Sequence, residues 1–230
     1  MDVKHLYETK YAFQGPAIFE DYGRNLLLAR ITPELKLRPG RLLDLGCNDG
    51  VIMDYFKKQG MEVHGLEISD RAIELAKQRG LNTVIQGDVE HRLPYEDASF
   101  DVVFWGDNVE HLFEPLKVLK EIHRVLKPRG KLILSAPNMG FVISRLQYLK
   151  TGMVSRTEGR PNPPWEWEHI RFFTKDVMAS FLSAGEFTMD RFWACHESSF
   201  WNTLAVYFPS FFGNIMLVSA TKRLTCDLPT

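Results

Sequence analysis

The chain turns on Leu42-Leu43-Asp44-Leu45-Gly46-Cys47-Asn48-Asp49-Gly50. Its opening run is apolar apart from Asp44, without polar alternation, which predicts a strand buried on both faces of a parallel sheet. Gly46 and Gly50 bracket a tight turn, and Val51-Ile52-Met53-Asp54-Tyr55-Phe56 opens a helical pattern. A strand, a glycine turn and a helix in that order bring backbone N–H groups close to a ligand and aim a helix N-terminus at it. The next apolar run, Glu62-Val63-His64-Gly65-Leu66, ends at Glu67. That is about twenty residues on, where an acidic side chain takes the ribose hydroxyls of a nucleoside-containing cofactor. A dinucleotide fingerprint would need glycine at positions 46, 48 and 51, but Asn48 and Val51 occupy two of them. Asn is the non-glycine residue that most readily takes positive φ, so the turn survives Asn48.

Outward from this stretch, strands and helices alternate. Strands are expected at 41–46, 61–66, 82–86 and 100–105, with helices at 50–58 and 70–79. Asp70 is the expected cap of the second helix and Gly80 its stop. An amphipathic helix over 114–127 sets Leu116, Leu119, Ile122, Val125 and Leu126 on one face, with the lysines, Glu121 and Arg124 opposite. Pro128-Arg129-Gly130 stops it before a strand at 131–137. Thr174 caps a helix to Ala184-Gly185, and strands follow at 187–194 and 215–220. The order predicts an α/β, Rossmann-like, doubly wound and mostly parallel sheet with helices on both faces. The 230 residues are expected to form a single domain. Residues 1–40 are its aromatic, helical N-terminal cover, and residues 138–171 an irregular, locally basic insertion or lid.

Composition narrows the classes. A hydrophobic fraction of 45% and a formal charge of −1 are those of an ordinary globular chain with no global pull toward nucleic acid or an anionic surface. Cys47, Cys195 and Cys226 are odd in number and form no C-x-x-C pair, so no disulfide framework or structural zinc is expected. With no signal peptide at Met1, the expected compartment is the cytoplasm. The uncharged run Ser198–Ala220 is broken by Pro209 and Gly213 and is read as sheet cover plus a last strand, not a membrane span.

The pieces taken together resemble the class I S-adenosylmethionine-dependent methyltransferases. They are LLDLGCNDG, Gly65-Leu66-Glu67, Gln86-Gly87-Asp88, SFDVVFWGDNVEHL, VLKEIHRVLKPRGKLILSAPN and HIRFFT, spread over roughly residues 40–185. Within that superfamily the chain is similar to the small-molecule branch that includes ubiquinone-biosynthesis O-methyltransferases and methionine-biosynthesis methyltransferase-like proteins. The resemblance implies seven strands with the last antiparallel, and S-adenosyl-L-methionine as cofactor with S-adenosyl-L-homocysteine as product. It places Asp44 and the turn Gly46, Cys47, Asn48 and Gly50 at the methionine end. Glu67 would hold both ribose hydroxyls and Ile68 would lie against adenine. Asp88 would accept from the adenine amino group with Val89 beside it, and Asp107 and Asn108 would line the sulfonium and acceptor side.

The implied activity is methyl transfer to a small molecule, at oxygen in preference to nitrogen. The alternative is a non-catalytic module that binds the same nucleoside as partner or sensor. A nucleic-acid methyltransferase is disfavoured by the charge and by the absence of an Asn/Asp-Pro-Pro-aromatic tetrapeptide. His111 and His169 are the candidate bases, with Tyr11 behind them, each also readable as structural. Trp165 and Trp167 read as packing or as lid. Arg145, Arg156, Arg160 and Arg171 read as surface charge or as an anion clamp. No metal ligand set is expected. The acceptor and the oligomeric state are left open.

Overall fold

The computed structural model describes residues 32, 40–154, 169–196 and 198–224. In chain order its strands are β1 (Arg41–Leu45), β2 (Glu62–Glu67), β3 (Val84–Gln86), β4 (Phe100–Gly106), β5 (Leu126–Pro137), β6 (Phe187–Cys195) and β7 (Ile215–Lys222). The helices are α1 (Val51–Lys58), α2 (Asp70–Gln78), α3 (Pro115–Val125), α4 (Val142–Thr151), α5 (Lys175–Ala184), α6 (Ser199–Tyr207) and α7 (Pro209–Phe212). The strands form one sheet in the order β3-β2-β1-β4-β5-β7-β6. Neighbours from β3 through β5 are parallel, and β7 runs antiparallel between β5 and β6. The doubly wound sheet with its antiparallel last strand is as expected.

The apolar run of β1, broken only by Asp44, has its reason here. Leu42 packs with Met53 and Phe56 of α1 and Ile73 of α2, whereas Leu43 and Leu45 belong to the cluster of Leu119, Ile122 and Leu182 from α3 and α5. Apolar side chains are needed on both faces of a strand covered by helices on both sides. After β1 the chain winds outward through β2 and β3, then returns to lay β4 on the other side of β1. The crevice outside the carboxyl ends of β1 and β4 is therefore the topological switch point, where ligands of open α/β sheets bind.

Local expectations fail at four places. Helix α2 is capped by Ser69, whose Oγ accepts from the Ala72 N–H at 3.2 Å, and not by Asp70, which is its first residue. There the acidic side chain suits the helix dipole instead. Helix α3 ends at Val125, because Leu126 already pairs with Phe100 in the sheet, and Leu116 is exposed while Val118 is buried. The stretch 138–171 is not irregular throughout, since α4 occupies residues 142–151. Finally, α6 and α7 leave Phe200, Tyr207, Phe208 and Phe211 exposed, so that run is only partly sheet cover. No helix among the described residues is long and apolar enough to cross a membrane.

Arg124 also departs from the solvent face assigned to it. Its guanidinium is half-enclosed and donates to Glu121, Asp97 and the carbonyls of Leu93 and Tyr95 at 2.8–3.0 Å. It thereby ties the 93–97 loop to α3. Arg124→Ala is expected to cost about 2–3 kcal/mol, the worth of charge-assisted bonds whose acceptors lose their donor. Urea unfolding measures it, and Arg124→Lys, lacking the planar fork, is expected to restore less than half.

Candidate functional site

At the end of β1 the backbone doubles back through Gly46 (φ 69°), Asn48 (φ 49°) and Gly50 (φ 78°). The left-handed conformation costs ordinary residues about 1–2 kcal/mol, which explains glycine at the ends and asparagine between them. Asn48 further steadies itself by accepting the Asp49 N–H on its own Oδ1 at 2.6 Å. Asn48→Gly is accordingly expected to change stability by less than about 1 kcal/mol, and the β-branched Asn48→Val to cost about 2 kcal/mol or more, read by thermal unfolding.

Two carboxylates stand under this turn. Glu67, at the end of β2, is buried. Its Oε2 accepts from the Asn48 N–H, and its Oε1 from the N–H groups of Ile68 and Ser69, each at 2.9 Å. One side chain therefore fixes the turn against the neighbouring strand end. Asp44 is also buried, and its Oδ2 has no hydrogen-bond partner among the described residues. Its carboxyl is pushed up to about 8, first by burial and then by the Glu67 charge. A buried acceptor in that condition is poised for a cationic donor. Cys47 turns its side chain into the core, where burial pushes its thiol well above the usual range, and its N–H bonds to the Leu66 carbonyl. Asp49, unnoticed in the sequence, pairs with Arg79 beyond α2 at 2.8 Å.

The ends of β3 and β4 complete the crevice. Asp88 accepts the Glu90 N–H at 2.9 Å and lies 3.3 Å from His91, with Val89 buried beside it. Asp107 takes positive φ (44°) and is clamped to Ser135 of β5, whose Oγ donates to its Oδ1 at 2.9 Å. Asn108 accepts from the Trp105 indole N–H at 2.9 Å. Its amide lies so near Gly46 that a Cβ there would meet it at 3.2 Å. The β4 end and the glycine turn are thus in contact. Three residues on, the His111 N–H donates to the Asn108 carbonyl at 3.1 Å.

His111 and His169, far apart in the sequence, meet here. Their rings are 4.6 Å apart edge to face, and each Nε2 is within 4.0 Å of Glu110 Oε1. The Ile170 and Arg171 N–H groups donate to the Glu110 carbonyl at 2.9 and 3.0 Å, so backbone holds the two segments together. The sequence singled out both histidines but missed Glu110. The adjacency Glu110-His111 was the available signal, and nothing in the sequence tied it to residue 169.

Of the candidate arginines, Arg145 donates to the Gly140 carbonyl and lies over the Phe211 ring, and Arg171 donates to the Phe113 carbonyl. Tyr11, Arg156, Arg160, Trp165, Trp167 and Cys226 lie outside the described residues, as does all but Thr32 and Gly40 of the N-terminal cover.

Comparison with known proteins gives one family match and many relatives of the same fold. Residues 43–134 match the family described as Methyltransferase domain. The ubiquinone biosynthesis O-methyltransferase of Xanthomonas oryzae pv. oryzae (strain PXO99A) is 30% identical over 113 residues, covering 47% of each protein. The chain thus spans about half the length of the curated relatives it matches. Among solved structures, a SAM-dependent methyltransferase from Methanosarcina mazei superposes with a TM-score of 0.61 at 24% identity, over 84% of this chain and 97% of that one. The [4+2]-cyclase SpnF does so with a TM-score of 0.62 at 21% identity, over 96% and 93%. Likeness at such identities shows a shared fold.

Proposed function

We propose, on the premise that this chain belongs to the class I S-adenosylmethionine-dependent methyltransferases, that it transfers a methyl group from that cofactor to the oxygen of a small-molecule acceptor. The observation that carries the reading is the carboxylate pair Asp44 and Glu67 beneath the Gly46–Gly50 turn at the switch point. The unpartnered Asp44 Oδ2 fits the amino-acid end of the cofactor, which brings an ammonium. Glu67 closes β2 with a carboxylate, the acceptor that ribose hydroxyls need, and Ile68, Asp88 and Val89 follow at the strand ends on the side proposed for the adenine. The cofactor supplies a sulfonium-activated methyl group, which leaves the protein little covalent work.

Asp107 and Asn108 continue the crevice from the turn toward His111 and His169, which stand on the acceptor side. Holding acceptor oxygen and methyl carbon in line can contribute on the order of 7–11 kcal/mol, and a placed base roughly 10²–10⁴-fold. Oxygen is favoured because the matched Xanthomonas protein is named an O-methyltransferase. That name, and the near-neutral charge of the chain, support a small molecule in place of a nucleic acid. The buried thiols of Cys47 and Cys195 suit a reducing compartment such as the cytoplasm.

The test is label transfer from methyl-labelled cofactor to a panel of phenols, catechols and amines, with products identified by mass. Transfer to hydroxylated acceptors is expected. Tight binding of S-adenosylhomocysteine with no transfer to any acceptor or cell extract would replace this reading with the non-catalytic module. The cyclase neighbour makes that outcome physically admissible, since the same fold carries other chemistry.

A further inference from the structure

We infer that Glu110, His111 and His169 form a binding site for one divalent transition-metal ion of the zinc type, open on one side to the acceptor oxygen. Two imidazoles and one carboxylate offer donor atoms that all lie within 4.8 Å of one another. Glu110 is 2% exposed, and the His111 and His169 side chains 12% and 11%. Around a tetrahedral ion with bonds of about 2.0–2.1 Å, donors stand roughly 3.3–3.5 Å apart. The observed separations of 3.9 and 4.0 Å from Glu110 Oε1 to the two Nε2 atoms close to that by small side-chain rotations.

The grouping is anchored by its backbone. The Glu110 carbonyl accepts two N–H groups from the residues directly after His169, so the third donor is delivered by main-chain bonds. Mixed imidazole and carboxylate donors suit zinc, cobalt, iron or manganese, whereas magnesium and calcium prefer all-oxygen shells. Three protein donors leave a position for another ligand, as in catalytic and not structural zinc sites.

The place of the site says what that ligand is, and this part rests on the methyl-transfer reading above. Glu110 and His111 follow Asn108, which abuts Gly46 of the cofactor turn. An acceptor hydroxyl bound to the ion loses its proton to solvent more readily. Its oxygen lone pair then forms the new O–C bond while the S–C bond of the sulfonium breaks and its electron pair returns to sulfur. The histidines then serve as metal donors in place of the proton acceptors the sequence made of them.

Cobalt(II) is the probe, titrated into the chelator-treated full chain and followed by its visible absorption, alongside elemental analysis of the protein as purified. About one ion per chain is expected, with micromolar or tighter affinity, weakened at least 100-fold in His169→Ala. S-adenosylhomocysteine affinity in that variant should stay within about twofold, showing that the fold persists. Should His169→Ala unfold, the isosteric Glu110→Gln is expected to show the same loss. No metal in the purified protein and no cobalt bands, or bands unchanged in both variants, overturns the site. Chelator-insensitive methyl transfer without bound metal overturns it too, while leaving the methyl-transfer reading intact. Stoichiometric metal lost in His169→Ala supports the site even if no acceptor is ever methylated.

Discussion

Glu67→Ala is expected to weaken S-adenosylhomocysteine binding by about 100-fold or more, measured by calorimetric titration. On the proposed ribose assignment two hydroxyls lose a charged acceptor, and hydrogen bonds to charged groups are worth about 1.5–3 kcal/mol each. A second loss comes from the protein itself. The Asn48, Ile68 and Ser69 N–H groups now bond to that carboxylate and would lose their acceptor in a largely buried setting. A stability loss of about 2–4 kcal/mol should therefore accompany the loss of affinity, from about 1–3 kcal/mol for each donor left unsatisfied with some relieved by water. Glu67→Gln separates the two effects: it keeps one acceptor for the backbone but presents an amide to Asn48 or to the sugar. Affinity within twofold of wild type in Glu67→Ala would remove the ribose assignment.

The second large effect is the pH dependence carried by Asp44. Its carboxyl is raised from 3.8 to about 8 in the folded chain, so between those values the folded state holds a proton that the unfolded state has released. Stability from this group is fully present below about 4 and is lost as pH rises through about 8, with a slope of up to about 1.4 kcal/mol per pH unit. His123 works the other way, its imidazole held low chiefly by burial, and adds stability as pH rises through its ordinary range. Comparison with Asp44→Asn, which cannot titrate, isolates the carboxyl. The wild type should lose stability relative to Asp44→Asn from pH 5 to 8.5, followed by thermal unfolding without ligand. On the proposed seating of the cofactor's ammonium against Asp44, which favours the ionised form, wild-type affinity should climb by up to about tenfold per pH unit toward pH 8. The variant should bind weakly with a flat profile. Parallel stability curves for the two proteins would show that Asp44 is ionised in the fold and that the proton linkage is absent.

Much of this was legible in the chain because the governing forces are local. Mostly apolar runs in β1 and β4, glycine on either side of the Asn48 turn, and Glu67 closing the next strand each follow from what backbone and burial permit within a few residues. Errors arose where a distant partner decided. The cap of α2 is the local exception, where Ser69 outcompeted Asp70 because its hydroxyl oxygen reaches the Ala72 N–H. Leu126 left its helix because Phe100 offered it a place in the sheet. Arg124 left the solvent face because the 93–97 loop presented carbonyls to it.

By itself, then, the sequence determined the doubly wound sheet, the left-handed turn and the identity of the two carboxylates below it, since apolar periodicity and glycine stereochemistry are written residue by residue. Only the tertiary structure decided that Glu67 accepts one N–H from the turn and two from the end of its own strand, that Asp44 is driven toward neutrality, and that Glu110 and His111 stand beside His169. Those properties depend on desolvation and on through-space distance. Neither is defined until the chain has closed on itself.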